Sequence, residues 1–286
     1  MHRRDYPEPR LPGTAGPVAV TSLSGAERAR TYRCEGLTLR KAAIGEADLV
    51  VTVFTAERGK LRAVAKGARR TSSRLVGHLE PLTLVRLSMA RGRELEIITQ
   101  AQVSDGIPAL KDDLAALTRG LYVAELLDGF GPEDSSSPGL FRLAASVLRE
   151  IPRANDPDAA LRYFEFHLLR LTGVLPELYQ CVECSSEIAP DAHRFSVNLG
   201  GVLCPSCNPP EALVRPLSLR AMKVLRLMHR GTLAEASGLT LNPSLSTELK
   251  SVLHHTVRYW LGKEIRSNSF LEQLGDDERN KLRTEA

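Results

Sequence analysis

Four of the five cysteines fall between residues 181 and 207, in the stretch CVECSSEIAPDAHRFSVNLGGVLCPSC. They form two C-x-x-C pairs, Cys181 with Cys184 and Cys204 with Cys207, separated by nineteen residues. A C-x-x-C turn aims two sulfurs at one point, and two such turns complete the tetrahedron of a Zn²⁺ held by thiolates. However the rest of the chain folds, this stretch must bring its two ends together. Phe195 and Val197 alternate ahead of Gly200-Gly201, which predicts a hairpin that returns the second pair to the first. The expected cofactor is one structural Zn²⁺ per chain.

A catalytic zinc is the alternative. Nucleobase deaminases combine an [H/C]-x-E element with a downstream P-C-x-x-C. Cys181-Val182-Glu183 and Cys204-Pro205-Ser206-Cys207 imitate that pattern loosely. Leu203 stands where the proline is required, and Cys184 fills the position that a catalytic ion leaves to water. The spacing therefore points to a staple. His193, between the pairs, reads as a surface residue, and the unpaired Cys34 as a strand residue.

The chain of 286 residues is long enough for two or three domains. No apolar run approaches the about 18 to 20 residues of a membrane span, and no apolar stretch follows the N-terminal arginines as in a secretory signal. The expectation is a cytoplasmic, nucleoid-associated protein with reduced thiols, which favours metal over disulfides.

Strand-like segments run from Tyr32 to about Val103: YRCEGLTLRK, DLVVTVFTAE, KLRAVAKGA, LTLVRLSMAR and ELEIITQAQV. Five short strands in so few residues fit a small closed barrel of the OB type, with an SH3-like barrel as competitor. After Asp105 the period becomes helical: Leu110, Leu114, Leu117, Leu121 and Ala124 share a face. Further helices are expected at 138–151, 157–172, 217–230 and 244–262, the last burying Leu245, Leu249, Val252, Leu253, Val257 and Trp260. The fold class is α+β multidomain: an OB barrel (32–105), a helical domain (106–178 and 210–274) and an inserted four-cysteine zinc-ribbon-like module (179–209). Residues 1–31 read as a disordered tail or an early start codon, and 275–286 as a flexible tail.

The net charge of +4 conceals an asymmetry. Residues 33–103 hold thirteen basic and seven acidic side chains, whereas 104–286 hold twenty and twenty-four. Between Arg58 and Arg74 stand Arg58, Lys60, Arg62, Lys66, Arg69, Arg70 and Arg74 with no acid among them. On a strand Arg58, Lys60 and Arg62 share one side and Lys66 keeps that parity. A cationic row beside a cationic loop is how an OB barrel tracks a phosphate backbone. A strand edge protected against aggregation also favours Lys and Arg, although seven unopposed charges exceed that need. Only Tyr32 and Phe54 are nearby for base stacking, so backbone electrostatics should dominate and tolerance of duplex DNA is expected. A fainter stripe, Arg220, Lys223, Arg226 and Arg230, offers a partner face or a second DNA face. No phosphate-binding loop, G-x-S-x-G or H-E-x-x-H occurs, and His254-His255 on a helix would point apart, so a non-enzyme is expected. An RNA-binding module with the same barrel and ribbon stays open.

Taken in order, these elements resemble one family. YRCEGLTLRKAAIGEADLVVTVFTAERGKLRAVAKGARR, the helical body, the C-x-x-C pairs and the late SNSFLEQL are similar to the bacterial recombination mediator family RecO, over about residues 32–274. The most specific parts are residues 45–70 and the cysteine module. The resemblance implies an OB head that binds single- and double-stranded DNA, a helical domain, and a zinc element that some members retain. It also implies annealing of complementary strands, partnership with RecR and sometimes RecF, contact with the acidic tail of single-stranded DNA-binding protein, and help in loading RecA. The DNA surface it implies is the basic set from Arg58 to Arg74, and the metal ligands are the four cysteines.

Overall fold

The computed structural model describes residues 30–210, 212–271 and 273. Both expected tails lie outside these residues, except Arg30 and Thr31, and Thr31 already pairs with Ala90.

Strands β1 (Thr31–Ile44), β2 (Asp48–Thr55), β3 (Gly59–Ala65), β4 (Leu84–Ala90) and β5 (Glu96–Asp105) close into a barrel in the order β1-β2-β3-β5-β4. Closure is made by a short parallel pairing, Ala63 with Glu96 and Val64 with Ile97. This is the OB architecture, and the SH3-like alternative falls away. β1 serves both halves, pairing with β4 from Thr31 to Leu37 and with β2 from Gly36 to Ile44. A register shift between Thr38 and Arg40 lets it bend from one partner to the other. Val51, Val53, Ala63, Val85, Leu87, Met89 and Ile98 fill the interior, and Leu79 from the β3–β4 connection joins them.

The barrel is also apolar on part of its outside. Leu37, Leu39, Phe54, Leu82 and Leu84 belong to the core of the helical body. Burying each such side chain is worth about 1.5 to 3 kcal/mol. The body contains α1 (Pro108–Lys111), α2 (Leu114–Phe130), α3 (Pro138–Glu150), α4 (Pro157–Leu171), α5 (Leu219–Arg230), α6 (Leu233–Ser237) and α7 (Pro243–Leu261). Prolines open α3, α4 and α7, where a missing N–H costs nothing, and Asp113, Asp156 and Asn242 cap α2, α4 and α7 with their side-chain oxygens. No helix among the described residues is long and apolar enough to cross a membrane.

Two helical faces differ from the expected ones. Leu114 and Leu121 are exposed, and α2 instead buries Tyr122, Val123, Leu126 and Leu127. The helix starts only at its cap Asp113, so Leu110 belongs to the separate turn α1 and the leucine spacing spans a break. Trp260 is also exposed, because α7 ends one residue later and its final turn overhangs the core. A third difference concerns the cysteine module. Its sheet, β7-β6-β8, takes β6 (His193–Ser196), β7 (Gly201–Leu203) and β8 (Val214–Leu217), so it reaches beyond residue 209. β8 hides Pro216 in a strand, which an edge position allows.

Helix α4 joins the two helical cores: Phe164 and Leu168 face one, Phe166 the other. It also carries buried charge. Glu165 is wholly inaccessible, and its Oε2 lies 2.8 Å from Arg162 Nη1. Tyr122 of α2 donates to Glu165, and its hydroxyl is 3.1 Å from His254 Nδ1 of α7. Burial pushes the Glu165 carboxyl above its ordinary value, against the pull of Arg162 and of the Tyr122 hydroxyl. The network ties α2, α4 and α7 by groups that have no water to fall back on. Glu165→Gln is therefore expected to cost about 3 kcal/mol in denaturant unfolding, because it strands the Arg162 guanidinium. The double variant Arg162→Met/Glu165→Leu should cost clearly less than that single change.

Candidate metal centre and nucleic-acid interface

The two C-x-x-C turns meet as their spacing predicts. Cys181 follows the chain leaving α4, and Cys204 follows β7 directly. One sulfur from each of the four cysteines lies within 4.8 Å of the others. Cys184 Sγ and Cys204 Sγ are 3.7 Å apart. Metal–sulfur bonds of about 2.3 Å in a tetrahedron place the sulfurs about 3.8 Å apart. The donor set therefore fits a tetrahedral metal ion.

The electrostatics agree. Burial opposes ionisation of Cys181, yet the N–H groups of Cys204, Cys184 and Glu183 bring its thiol below the ordinary value. The Ser186 hydroxyl and N–H draw Cys184 down to about 6. Cys207 moves the other way, raised by its neighbours Cys184 and Cys204. Four thiolates cannot coexist at this separation unless a cation stands among them. His193 takes no part: its Nε2 is 2.8 Å from the Ala189 carbonyl oxygen. Cys34 lies in β1, half-buried, and burial raises its thiol to about 11, so it is no nucleophile at neutral pH.

The module is fixed to the body by Arg226. This side chain donates to the carbonyl oxygens of Leu178 (2.7 Å) and Ile188 (3.3 Å), and its guanidinium lies 4.7 Å from the Tyr179 ring centre. Arg230 lies 5.0 Å from the same ring. Arg226 is thus a structural clamp, and the stripe on α5 reduces to the exposed Arg220, Lys223 and Arg230.

The seven basic residues of 58–74 do not form one row. Arg58 is drawn to Glu96 (3.0 Å) and Asp134 (3.1 Å) and covers the Tyr32 ring at 4.8 Å. Lys60 donates to the Asp128 carbonyl oxygen at 2.6 Å and lies 3.3 Å from Glu133. An ammonium at the carbonyl end of α2 satisfies a helix terminus. Strand parity was followed, but the side that Lys60 faces is the seat of the helical body. Gly59 makes that seat possible: with φ of +63°, it lets the backbone of Pro132 and Ser135 approach where a Cβ would collide.

Arg62, Lys66, Arg69 and Arg70 are exposed and make no ion pair among the described residues. They gather at the β1–β2 turn, where the Arg69 N–H bonds to the Ala47 carbonyl oxygen and its guanidinium to that of Gly45. The parallel pairing of Ala63 with Glu96 and Val64 with Ile97 puts the β4–β5 turn, with exposed Arg91 and Arg93, toward the start of β3, at the other end from the β1–β2 turn. Arg40 faces Thr52, which faces Arg62, so a third strand adds a cation, shared with Asp128 at 3.1 Å. Sequence reasoning missed these three. The turn RGR was legible, but Arg40 depends on the β1 bulge. Arg74 lies elsewhere, in a groove over β1, β4 and β5. Neither aromatic is available for stacking: Phe54 is fully buried beneath Gly131, and Tyr32 is covered.

Comparison with known proteins identifies relatives over most of the chain. The family described as Recombination protein O N terminal matches residues 29–107, and that described as Recombination protein O C terminal matches residues 111–269. The chain is 37% identical to "DNA repair protein RecO" of Roseiflexus sp. (strain RS-1), over 90% of this chain and 89% of that protein. It is 36% identical to the protein of the same name from Desulforudis audaxviator, over 86% and 98% of the two chains. The Desulforamulus reducens protein of that name is 34% identical over 86% and 95%.

Elemental analysis is expected to find one metal equivalent per chain. Cys204→Ser should release it and lower the thermal midpoint of the chain, since Cys181, Cys204 and Cys207 pack on the core shared with α5 and α7.

Proposed function

The chain belongs to the recombination protein O family, which works in DNA repair and recombination, and on that premise we propose that its barrel holds a single strand of DNA for annealing. The observation that carries this reading is the set Arg62, Lys66, Arg69 and Arg70, exposed and without carboxylate partners among the described residues, together with Arg91 and Arg93 of the β4–β5 turn. OB barrels bind oligonucleotides on the strand 2–3 face and on the β1–β2 and β4–β5 loops that border it. Lacking aromatics, the surface grips phosphates rather than bases, so sequence preference is weak and duplex DNA is accepted.

Annealing needs no catalyst here. Two polyanions repel, a cationic surface lowers that barrier, and base pairing supplies the free energy. The metal in this reading is Zn²⁺, held by Cys181, Cys184, Cys204 and Cys207 as a closed site. A deaminase-like role is disfavoured, because the fourth thiolate occupies the place of an activated water and Glu183 is exposed on the turn.

The same premise extends to partners: RecR, the acidic tail of single-stranded DNA-binding protein, RecF, and RecA as the protein loaded. For an acidic tail, the exposed edge of Arg220, Lys223 and Arg230 supplies complementary charge.

The triple variant Arg62→Glu/Arg69→Glu/Arg70→Glu should weaken binding of a single-stranded oligodeoxynucleotide about tenfold or more. It should also flatten the logarithmic salt dependence by about 2, at about 0.7 per lost phosphate contact. Fluorescence anisotropy over a salt series measures both, and an unchanged slope rejects this face. Arg58→Glu should act on the melting temperature instead. Competition between DNA and RNA strands of equal length separates this reading from an RNA-binding module.

A further inference from the structure

Annealing requires two strands, and the Arg62 face of the barrel is suited to one. The barrel has a second open concavity of about 900 Å³, over β1, β4 and β5. Arg33 of β1 lies opposite Ser88, and Arg86 of β4 lies opposite Gln102 of β5, so their side chains share the outer surface of three neighbouring strands. Arg74 and His78 of the β3–β4 connection complete the wall. The strand order puts β4 on the far side of β1 from β2, and the closed barrel brings β5 against β3, so the concavity lies away from β2 and adjoins the Arg62 strand through the short β3–β5 pairing.

Its lining offers cations and polar atoms that have no partner among the described residues. Arg33, Arg74 and Arg86 are exposed and make no ion pair among the described residues. His78 Nδ1 is buried without a hydrogen-bond partner. Gln100, which lines the groove, accepts from the Ser88 hydroxyl at 3.4 Å, a bond that does not use its amide donors. Guanidinium and carboxamide groups are the side chains that read base edges, Arg on guanine and Gln on adenine. Leu75 and Ala101, both partly exposed, add apolar surface between them.

Glu35 and Glu57 also border the concavity, which disfavours an acidic peptide running its whole length. A nucleic acid strand has separated phosphates and neutral bases. It can present acceptor edges, such as that of guanine, to the guanidiniums and an amino edge, such as that of cytosine, to a carboxylate. The openness of the concavity suits a chain passing through rather than a small molecule enclosed.

We propose that the groove over β1, β4 and β5 is a second single-strand site, which holds the complementary strand by its base edges while the Arg62 face holds the first by its phosphates. This rests on the reading that the Arg62 face carries a strand. The division explains how one barrel presents two strands without their phosphates competing for the same cations.

The test uses the full chain and two short complementary labelled oligodeoxynucleotides. Arg33→Gln/Arg86→Gln/Gln102→Ala should leave the melting temperature and the affinity for one strand near wild type, while the annealing rate, read by energy transfer, falls about tenfold. On the wild type, a photoreactive base in the second strand should cross-link to β4 and β5 when the first strand is already bound. Annealing by the groove variant at the wild-type rate overturns the proposal, as do second-strand cross-links confined to the Arg62 face. The cross-link map needs no variant, so a folding defect cannot hide the answer. If the Arg62/Arg69/Arg70 variant binds and anneals normally, the underlying reading fails, and this inference fails with it.

Discussion

Phe54 under Gly131, with Lys60 at the carbonyl end of α2, seats the barrel on the helical body. The cavity that a Cβ on Gly59 would fill is taken by the backbone of Pro132 and Ser135. The 131–137 loop is held further by Lys60 N–H to the Pro132 carbonyl oxygen and Ser137 N–H to that of Ala56. An apolar contact of this kind excludes water, and the charges at its margin must then find partners. Arg58 and Lys60 find them in Glu96, Asp134, Asp128 and Glu133. Arg62, Lys66, Arg69 and Arg70 lie beyond that margin and make no ion pair among the described residues.

The barrel therefore presents charge unevenly. β3 and the loop after it carry Arg62, Lys66, Arg69 and Arg70, and the β4–β5 turn at the other end carries Arg91 and Arg93; the flank over β1, β4 and β5 carries Arg33, Arg74 and Arg86 among amides. The first offers unpaired cations alone, the second cations set among carboxamides and two carboxylates. A long β1, bent at its bulge, belongs to both and gives each a strand of the same sheet.

The metal module answers a different need. Its sheet of three short strands is too small to hold itself together, and its core is completed by α5 and α7. Four sulfurs close the hairpin at one end, and Arg226 ties the carbonyl oxygens of Leu178 and Ile188 at the other. α4, with the buried Glu165 network on one part and Phe166 on another, links this module to the core that seats the barrel.

The cysteine cluster, the five strands and the larger helices were legible because each is written in local spacing: two residues between paired cysteines, alternation in strands, proline and caps at helix starts. The leucine spacing from Leu110 to Ala124 misled because a cap at Asp113 interrupts it, and a period does not record a break. Parity likewise told which side of β3 carries Lys60 and Arg62, but nothing in parity says what lies against that side. By itself the sequence determined that a basic five-stranded barrel precedes a helical body pinned by four cysteines. Which of its arginines stay free was decided only by tertiary structure, because a charge is paired or open according to residues tens of positions away.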